Sequence, residues 1–197
     1  MLGRLAKIYL KARGWRFETG IPSEKKFVVT AYPHTSNWDG IHLLMCAYSV
    51  GLPLRWMVKR SLVDGPFGKI LVKMGAVPID RSKTNNLVDQ MVEEFNKRDE
   101  LVLVVPPEGT RRLADYWKSG FYHIAVGANV PVVPGYLDFE RKVGGVGEPI
   151  WMTGDVKADM DKLRAFYDKV KPQGLHHYKT SPVRLRDEED VRAETGE

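Results

Sequence analysis

A chain of 197 residues has the length of one domain with mass enough for a sizeable core, and its 43% hydrophobic and 10% aromatic content is that of an ordinary globular protein. Lys and Arg number 30 against 25 Asp and Glu, with a pI near 9.2, a balance that favours anionic partners: a lipid surface, phosphorylated small molecules or nucleic acid. The single cysteine, Cys46, excludes an internal disulfide and a cysteine-rich metal site.

No stretch reads as a cleaved signal peptide, and no run of about 18 apolar residues could span a bilayer. The expectation is a cytoplasmic protein whose membrane contact is peripheral.

Residues 1–17 open the chain. Leu2, Leu5, Ile8, Tyr9 and Ala12 recur at helical spacing between Arg4, Lys7, Lys11, Arg13 and Arg16, and Trp15 and Phe17 follow. This is the pattern of a basic amphipathic helix lying in a membrane interface, or equally of a helix packed on the domain with a solvated basic side. Residues 18–180 carry the domain proper. Phe27–Ala31 reads as a buried strand, and the dozen residues after Asp39 as a helix stopped by Gly51 and Pro53. Leu54–Val58 is a second strand, and Gly65-Pro66 opens a helix with Phe67, Ile70, Leu71 and Met74 on one face. Ala76–Ile79 is a brief strand delivering Asp80 and Arg81, and a helix from 85 to 97 buries Val88, Met91, Val92 and Phe95.

Leu101–Val105 is a continuous apolar run, as expected for a strand covered by helices on both faces. A helix over 118–128 follows, then the extended Val130–Tyr136, a hairpin or loop at Gly144-Gly145, and a last helix after Asp155. The tail over 181–197 is charged and expected to be mobile. Strands alternate with helices throughout, so the expected fold is α/β: a single domain with a mostly parallel central sheet flanked by helices.

The chemistry concentrates at strand ends. His34 and Asp39 bracket Thr35-Ser36-Asn37-Trp38 between the first long strand and its helix. On a continuous helix the two would point about 140° apart, so they can meet only across a turn, which Pro33, Ser36 and Asn37 make plausible. A carboxylate on Nδ1 of a neutral imidazole fixes the tautomer and leaves Nε2 as a base. The same spacing permits a simpler role, because Ser36 and Asp39 also fit a capping box that merely starts the helix. Asp80-Arg81 and Glu108-Gly109-Thr110-Arg111 end two further strands. Arg81 and Arg111 could supply two guanidinium forks for a phosphate, while Gly109 would let a ligand approach the backbone and Thr110 could donate to it.

Four blocks together, His34-x4-Asp39, Gly75–Arg81, Glu108–Arg111 and Val130–Pro134, resemble the four ordered blocks of the glycerolipid acyltransferase family, which includes the 1-acylglycerol-3-phosphate acyltransferases. The resemblance implies the glycerol-3-phosphate acyltransferase-like fold and transfer of a fatty acyl group from acyl-CoA or acyl-ACP to the hydroxyl of a lysophospholipid. It implies His34 as general base and Asp39 as its holder. It places Arg81, Glu108, Gly109, Thr110 and Arg111 at the acceptor, and Val130, Pro131 and Pro134 in the wall of the acyl site. No cofactor and no metal are implied beyond the acyl-CoA or acyl carrier protein co-substrate. The implied surroundings are an anionic membrane surface on the inner face of the cell membrane, and no nucleic acid.

The residues agree with that chemistry. A thioester is already activated, so an alcohol needs a base and charge stabilisation rather than an enzyme nucleophile, and no Gly-x-Ser-x-Gly elbow is present. Two readings compete. A thioester hydrolase would have no use for a phosphate-binding pair of arginines. A non-enzymatic anion binder for nucleic acid would be expected to show a basic stripe interleaved with aromatics, and none appears.

Overall fold

The computed structural model describes residues 2–18, 20–80, 87–176, 180–186 and 188. Seven strands form one sheet in the order β1-β7-β6-β2-β5-β3-β4. They are β1 (Arg16–Phe17), β2 (Lys26–Tyr32), β3 (Leu54–Lys59), β4 (Ala76–Ile79), β5 (Leu101–Val105), β6 (Val132–Asp138) and β7 (Val143–Val146). Every neighbouring pair is parallel except β6 with β7. The α/β class with a mostly parallel sheet is therefore what the chain adopts.

The central strands carry apolar side chains on both faces, because helices cover both. Val28, Leu101, Leu103 and Val132 face a core with Met91 and Phe95 of α5 (Leu87–Lys97), Phe121 and Ile124 of α6 (Gly120–Ala128), and Met160 and Leu163 of α7 (Val156–Val170). Phe27, Val29, Val102 and Val133, one residue out of phase, face Ala47 of α2 (Asn37–Val50). Each such side chain, fully withdrawn from water, stabilises the fold by roughly 1.5–3 kcal/mol.

The N-terminal segment departs from the expected helix over 1–17. The helix α1 spans Leu2–Arg13, Trp15 is buried, and Arg16–Phe17 leaves the helix to pair with β7. α1 lies against α2 at very close range, since a Cβ on Gly3 would stand 2.8 Å from the Tyr48 carbonyl oxygen. Ala6 and Leu10 are buried in that contact while Leu2, Leu5 and Ile8 face outward. Two short helices, α3 (Arg60–Val63) and α4 (Gly68–Met74), follow β3 on the outside of the sheet.

The C-terminal segment also departs from expectation. Ser181 and Leu185 are each 1% exposed, so the part of the 181–197 tail that is described is built into the domain rather than trailing from it.

Candidate active site

The sheet order brings His34, Asp39, Gly109, Thr110 and Arg111 of the expected site residues to one edge. β2 and β5 are adjacent and parallel, with Thr30 opposite Val105, so the loops that leave them begin side by side. The chain leaving β2 crosses to β3 on one side, while the chain leaving β5 crosses to β6 on the other. Diverging connections of this kind open a crevice at the carboxyl ends of the strands. A cavity of about 1010 Å³ lies there, lined by His34 and Asp39 from the first loop and by Gly109, Thr110 and Arg111 from the second.

Asp39 holds the first loop together. Its Oδ2 accepts the amides of Thr35 at 2.6 Å and Ser36 at 2.8 Å, and stands 3.2 Å from Nδ1 of His34. Its Oδ1 accepts the Ser36 hydroxyl at 3.1 Å, and the Ser36 oxygen accepts the Trp38 amide at 3.0 Å, completing the capping box of α2. The two roles open to this spacing are thus filled at once by a single buried carboxylate. Nε2 of His34 takes no hydrogen bond among the described residues. An imidazole anchored through Nδ1 and open at Nε2 is arranged to accept a proton.

Glu108 is a residue that the resemblance puts at the acceptor. It is 2% exposed, does not line the cavity, and its Oε2 accepts the His34 amide at 2.6 Å. Burial pushes its carboxyl above the ordinary range, against the opposing pull of Ser181 and the His34 amide. The left-handed Gly109 (φ 62°) turns the chain immediately after it, so Glu108 points inward while Thr110 and Arg111 reach the cavity. Arg111 Nη1 donates to Asn37 Oδ1 at the first turn of α2, which ties the second loop to the first. The Thr110 hydroxyl oxygen accepts the Arg112 amide at 3.2 Å.

Lys118, not singled out in the sequence, also lines the cavity. Its stem crosses Gly109 so closely that a Cβ there would meet Cδ at 2.7 Å, and it forms no ion pair among the described residues. Only its position three residues before the apolar Phe121 of α6 hinted at it, and that pattern reports a helix, not a site. Asp80 reaches the cavity and its backbone pairs with the Gln90 side chain, whereas Arg81 lies outside the described residues.

The resemblance puts Val130, Pro131 and Pro134 in the wall of the acyl site. Val130, Pro131 and Pro134 do not line the cavity; Val130 and Pro131 precede β6 at its amino end, and Pro134 pairs with Thr30 inside the sheet. The apolar lining of this cavity comes from both sides of the sheet, with Leu43 and Leu44 of α2, Trp56 and Met57 of β3, Phe121 and Ile124.

Comparison with known proteins gives the same picture. A family model described as Acyltransferase matches residues 16–138, the span that holds both loops that line the cavity. The 1-acyl-sn-glycerol-3-phosphate acyltransferase of Haemophilus influenzae is 30% identical over 142 residues, covering 67% of this chain and 56% of the relative. That of Escherichia coli K12 is 28% identical over 141 residues, covering 68% and 56%. The chain thus spans about half the length of the curated relatives it matches, 56% in both cases. The crystal structure of the 1-acyl-sn-glycerophosphate (LPA) acyltransferase from Thermotoga maritima superposes with a TM-score of 0.61 at 16% identity, over 88% of this chain and 79% of that one, which shows a shared fold. With that model covering most of the sheet and both loops that meet at its edge, the chain belongs to the Acyltransferase family.

Proposed function

We propose that the chain transfers a fatty acyl group from a thioester of coenzyme A or acyl carrier protein to the free hydroxyl of 1-acylglycerol-3-phosphate or a close lysophospholipid. The observation that carries this reading is the His34 imidazole, anchored at Nδ1 and open at Nε2, facing the same cavity as Arg111 and Lys118. His34 would take the proton of the acceptor hydroxyl as its oxygen attacks the thioester carbonyl. Collapse of the tetrahedral intermediate then breaks the C–S bond, leaves the new oxygen ester, and returns the proton from His34 to the departing thiolate. Asp39 stabilises the imidazolium between the two transfers. Arg111 and Lys118 would hold the acceptor's phosphate, and the apolar wall would receive acyl chain.

The setting that fits this chemistry is an anionic membrane surface, on the inner face of the cell membrane. Leu2, Leu5 and Ile8 stand exposed beside Arg4, Lys7 and Lys11, and Phe67, just before α4, and Ile70 within it stand exposed beside Lys69 and Lys73. Tyr48 of α2, against which Gly3 packs, donates to the Met74 carbonyl at 3.0 Å, so α1 and α4 both touch α2 at this residue. Among the described residues no helix is long and apolar enough to cross a membrane.

The test is incubation with oleoyl-CoA or oleoyl-ACP and a panel of lyso-acceptors, followed by lipid mass spectrometry. Acyl transfer to the phosphorylated acceptor is the expected outcome. Release of free oleate at a rate indifferent to acceptor would make the protein a thioester hydrolase.

A further inference from the structure

The cavity folds over the carboxyl edge of the sheet and reaches down both faces. On three neighbouring strands, β2, β5 and β3, it is lined by consecutive residues: Ala31 and Tyr32, Val104 and Val105, Trp56 and Met57. Consecutive side chains in a strand point to opposite faces, so each pair puts one residue on each side. Ala31 and Val104 belong to the core under α2, whereas Tyr32, Val105 and Met57 belong to the core under α5, α6 and α7. His34 follows β2 by two residues and lines the same cavity, at the edge where the two sides meet.

The two sides differ. On the α2 side the lining reaches Leu54, which pairs with Val102, about 10 Å below the level of Val105. Its outer margin is Gly40 and Ile41 of α2, both exposed, and Trp38 on the preceding turn is exposed as well. α2 is also the helix that α1 and α4 both touch at Tyr48. On the other side the lining is Ile79, Phe121 and Ile124, none more than 1% exposed, with Leu87 at the start of α5. The first compartment opens sideways to the surface through apolar residues. The second is closed beneath and is entered from the edge.

Acylation of a lysophospholipid brings two hydrocarbon chains to one point, one on the thioester and one already on the acceptor. We propose that the two compartments take these chains separately: the α2 side holds the acceptor's chain, and the α5–α6 side holds the chain of the thioester. A lipid leaving a bilayer keeps its chain out of water by sliding past Trp38, Ile41 and Leu44, which is favourable because apolar surface stays buried throughout. The thioester arrives on a hydrophilic carrier. Its chain enters the closed compartment tail first, which leaves the carbonyl at the edge beside His34. This assignment rests on the acyl-transfer reading and on the membrane face that goes with it; the existence of two compartments does not.

The test narrows one compartment at a time. Leu44→Trp fills the first and Leu87→Trp the second, and both positions are only half-buried, so neither change crowds the closed core. Leu43→Phe and Met57→Phe replace them where either fails to fold. Binding is read by calorimetry with 1-oleoyl-lysophosphatidate and with S-hexadecyl-CoA, an unreactive thioether. The room of two methylenes is worth about 15-fold in affinity. Leu44→Trp should therefore weaken lysophosphatidate by about that factor and leave hexadecyl-CoA within about twofold, and Leu87→Trp should do the reverse. Shortening the affected ligand, to 1-hexanoyl-lysophosphatidate or S-octyl-CoA, should bring variant and wild type together. In turnover, the first variant should shift preference toward shorter acceptors and the second toward shorter donors.

Both variants weakening the same ligand, the opposite pairing, or no weakening at all overturns the proposal. The expected pairing in a wild type that moves no acyl group overturns the acyl-transfer reading alone. A wild type that is active, with variants that do not separate the two ligands, overturns the division of the cavity alone.

Discussion

Asp39 holds two structures with one carboxylate, and this makes its two simplest substitutions behave differently. The amides of Thr35 and Ser36 and Nδ1 of His34 all converge on Oδ2. Asn at this position can still accept amides and start α2, but it cannot stabilise an imidazolium. Asp39→Asn should therefore keep the melting temperature within a few degrees and lose most turnover. Asp39→Ala should lose turnover and, with the cap, about 1 kcal/mol of stability as well. His34→Ala should lower kcat by about 10²–10⁴-fold with circular dichroism unchanged, the usual contribution of a positioned base. Steady-state rates and thermal melts on the three variants check this, and a His34→Ala protein at near-normal rate would end the general-base assignment. The spacing alone left capping and orientation as rival readings. They were never exclusive, because a helix that starts on the carboxylate of a strand-end loop also holds that loop's histidine in reach. Glu108 was less legible for a similar local reason. Side-chain direction follows a period only inside a strand or helix, and Gly109 at φ 62° breaks it one residue later.

Among the elements, α1 shows how periodicity can be read correctly and still mislead about boundaries. The apolar stripe was evident, yet the stripe divides: Ala6 and Leu10 pack on α2, and Leu2, Leu5 and Ile8 do not. Removing residues 1–17 would strip a strand from the sheet and take the buried Trp15 out of the core, so truncation cannot isolate membrane contact. The triple substitution of Leu2, Leu5 and Ile8 by Ser can, since those side chains are already in water. It should lower sedimentation with anionic vesicles while leaving the thermal midpoint in place, and vesicle binding equal to wild type would reduce α1 to a structural helix. At the other end, α7 depends on a buried anion. Asp159 accepts the Thr153 amide at 2.6 Å, the Tyr122 hydroxyl at 3.1 Å and Lys162 Nζ at 3.1 Å. Burial alone would raise its carboxyl, but these hydrogen bonds prevail and hold it below the ordinary value of 3.8. A depressed folded-state pKa contributes stability above the unfolded pKa that disappears as pH falls through the folded one. Asp159→Asn should then cost ~2–3 kcal/mol at neutral pH, the scale of a hydrogen bond to a charged group, with the gap to wild type narrowing below about pH 4. Urea unfolding across pH measures it, and a gap independent of pH would assign the cost to packing.

At the scale of the whole molecule, the sheet order turns scattered motifs into one site. β2 and β5 are separated by four helices and two strands in sequence, yet they are neighbours, and this alone brings His34 within reach of the Arg111 loop. Alternating strands and helices made a parallel sheet legible. The burial of Ser181 and Leu185 was not, because their segment has neither period and its composition reads as a solvated tail. The convergence on one cavity carries the last prediction. Arg111 lines it with its guanidinium braced on Asn37, and Lys118 lines it across Gly109. A charge-assisted bond to a phosphate oxygen is worth roughly 1.5–3 kcal/mol, so Arg111→Ala should weaken use of a phosphorylated acceptor about 10- to 150-fold. The loss should fall mainly on that acceptor's KM, with the thioester's KM little changed, if the contact is equally strong in ground and transition states. Arg111→Lys should recover only part, because an ammonium keeps the charge and loses the planar fork. Lys118→Ala should act in the same direction with a smaller effect, its flexible stem offering one point charge. Asn37→Ala should resemble a mild Arg111 variant, since it releases the brace and leaves the cation. The deciding measurement compares lysophosphatidate with monoacylglycerol as acceptors. Wild type should strongly prefer the first, and Arg111→Ala should lose most of that preference. Equal use of the two acceptors by wild type would remove the phosphate from this cavity while leaving His34 free to serve as the base.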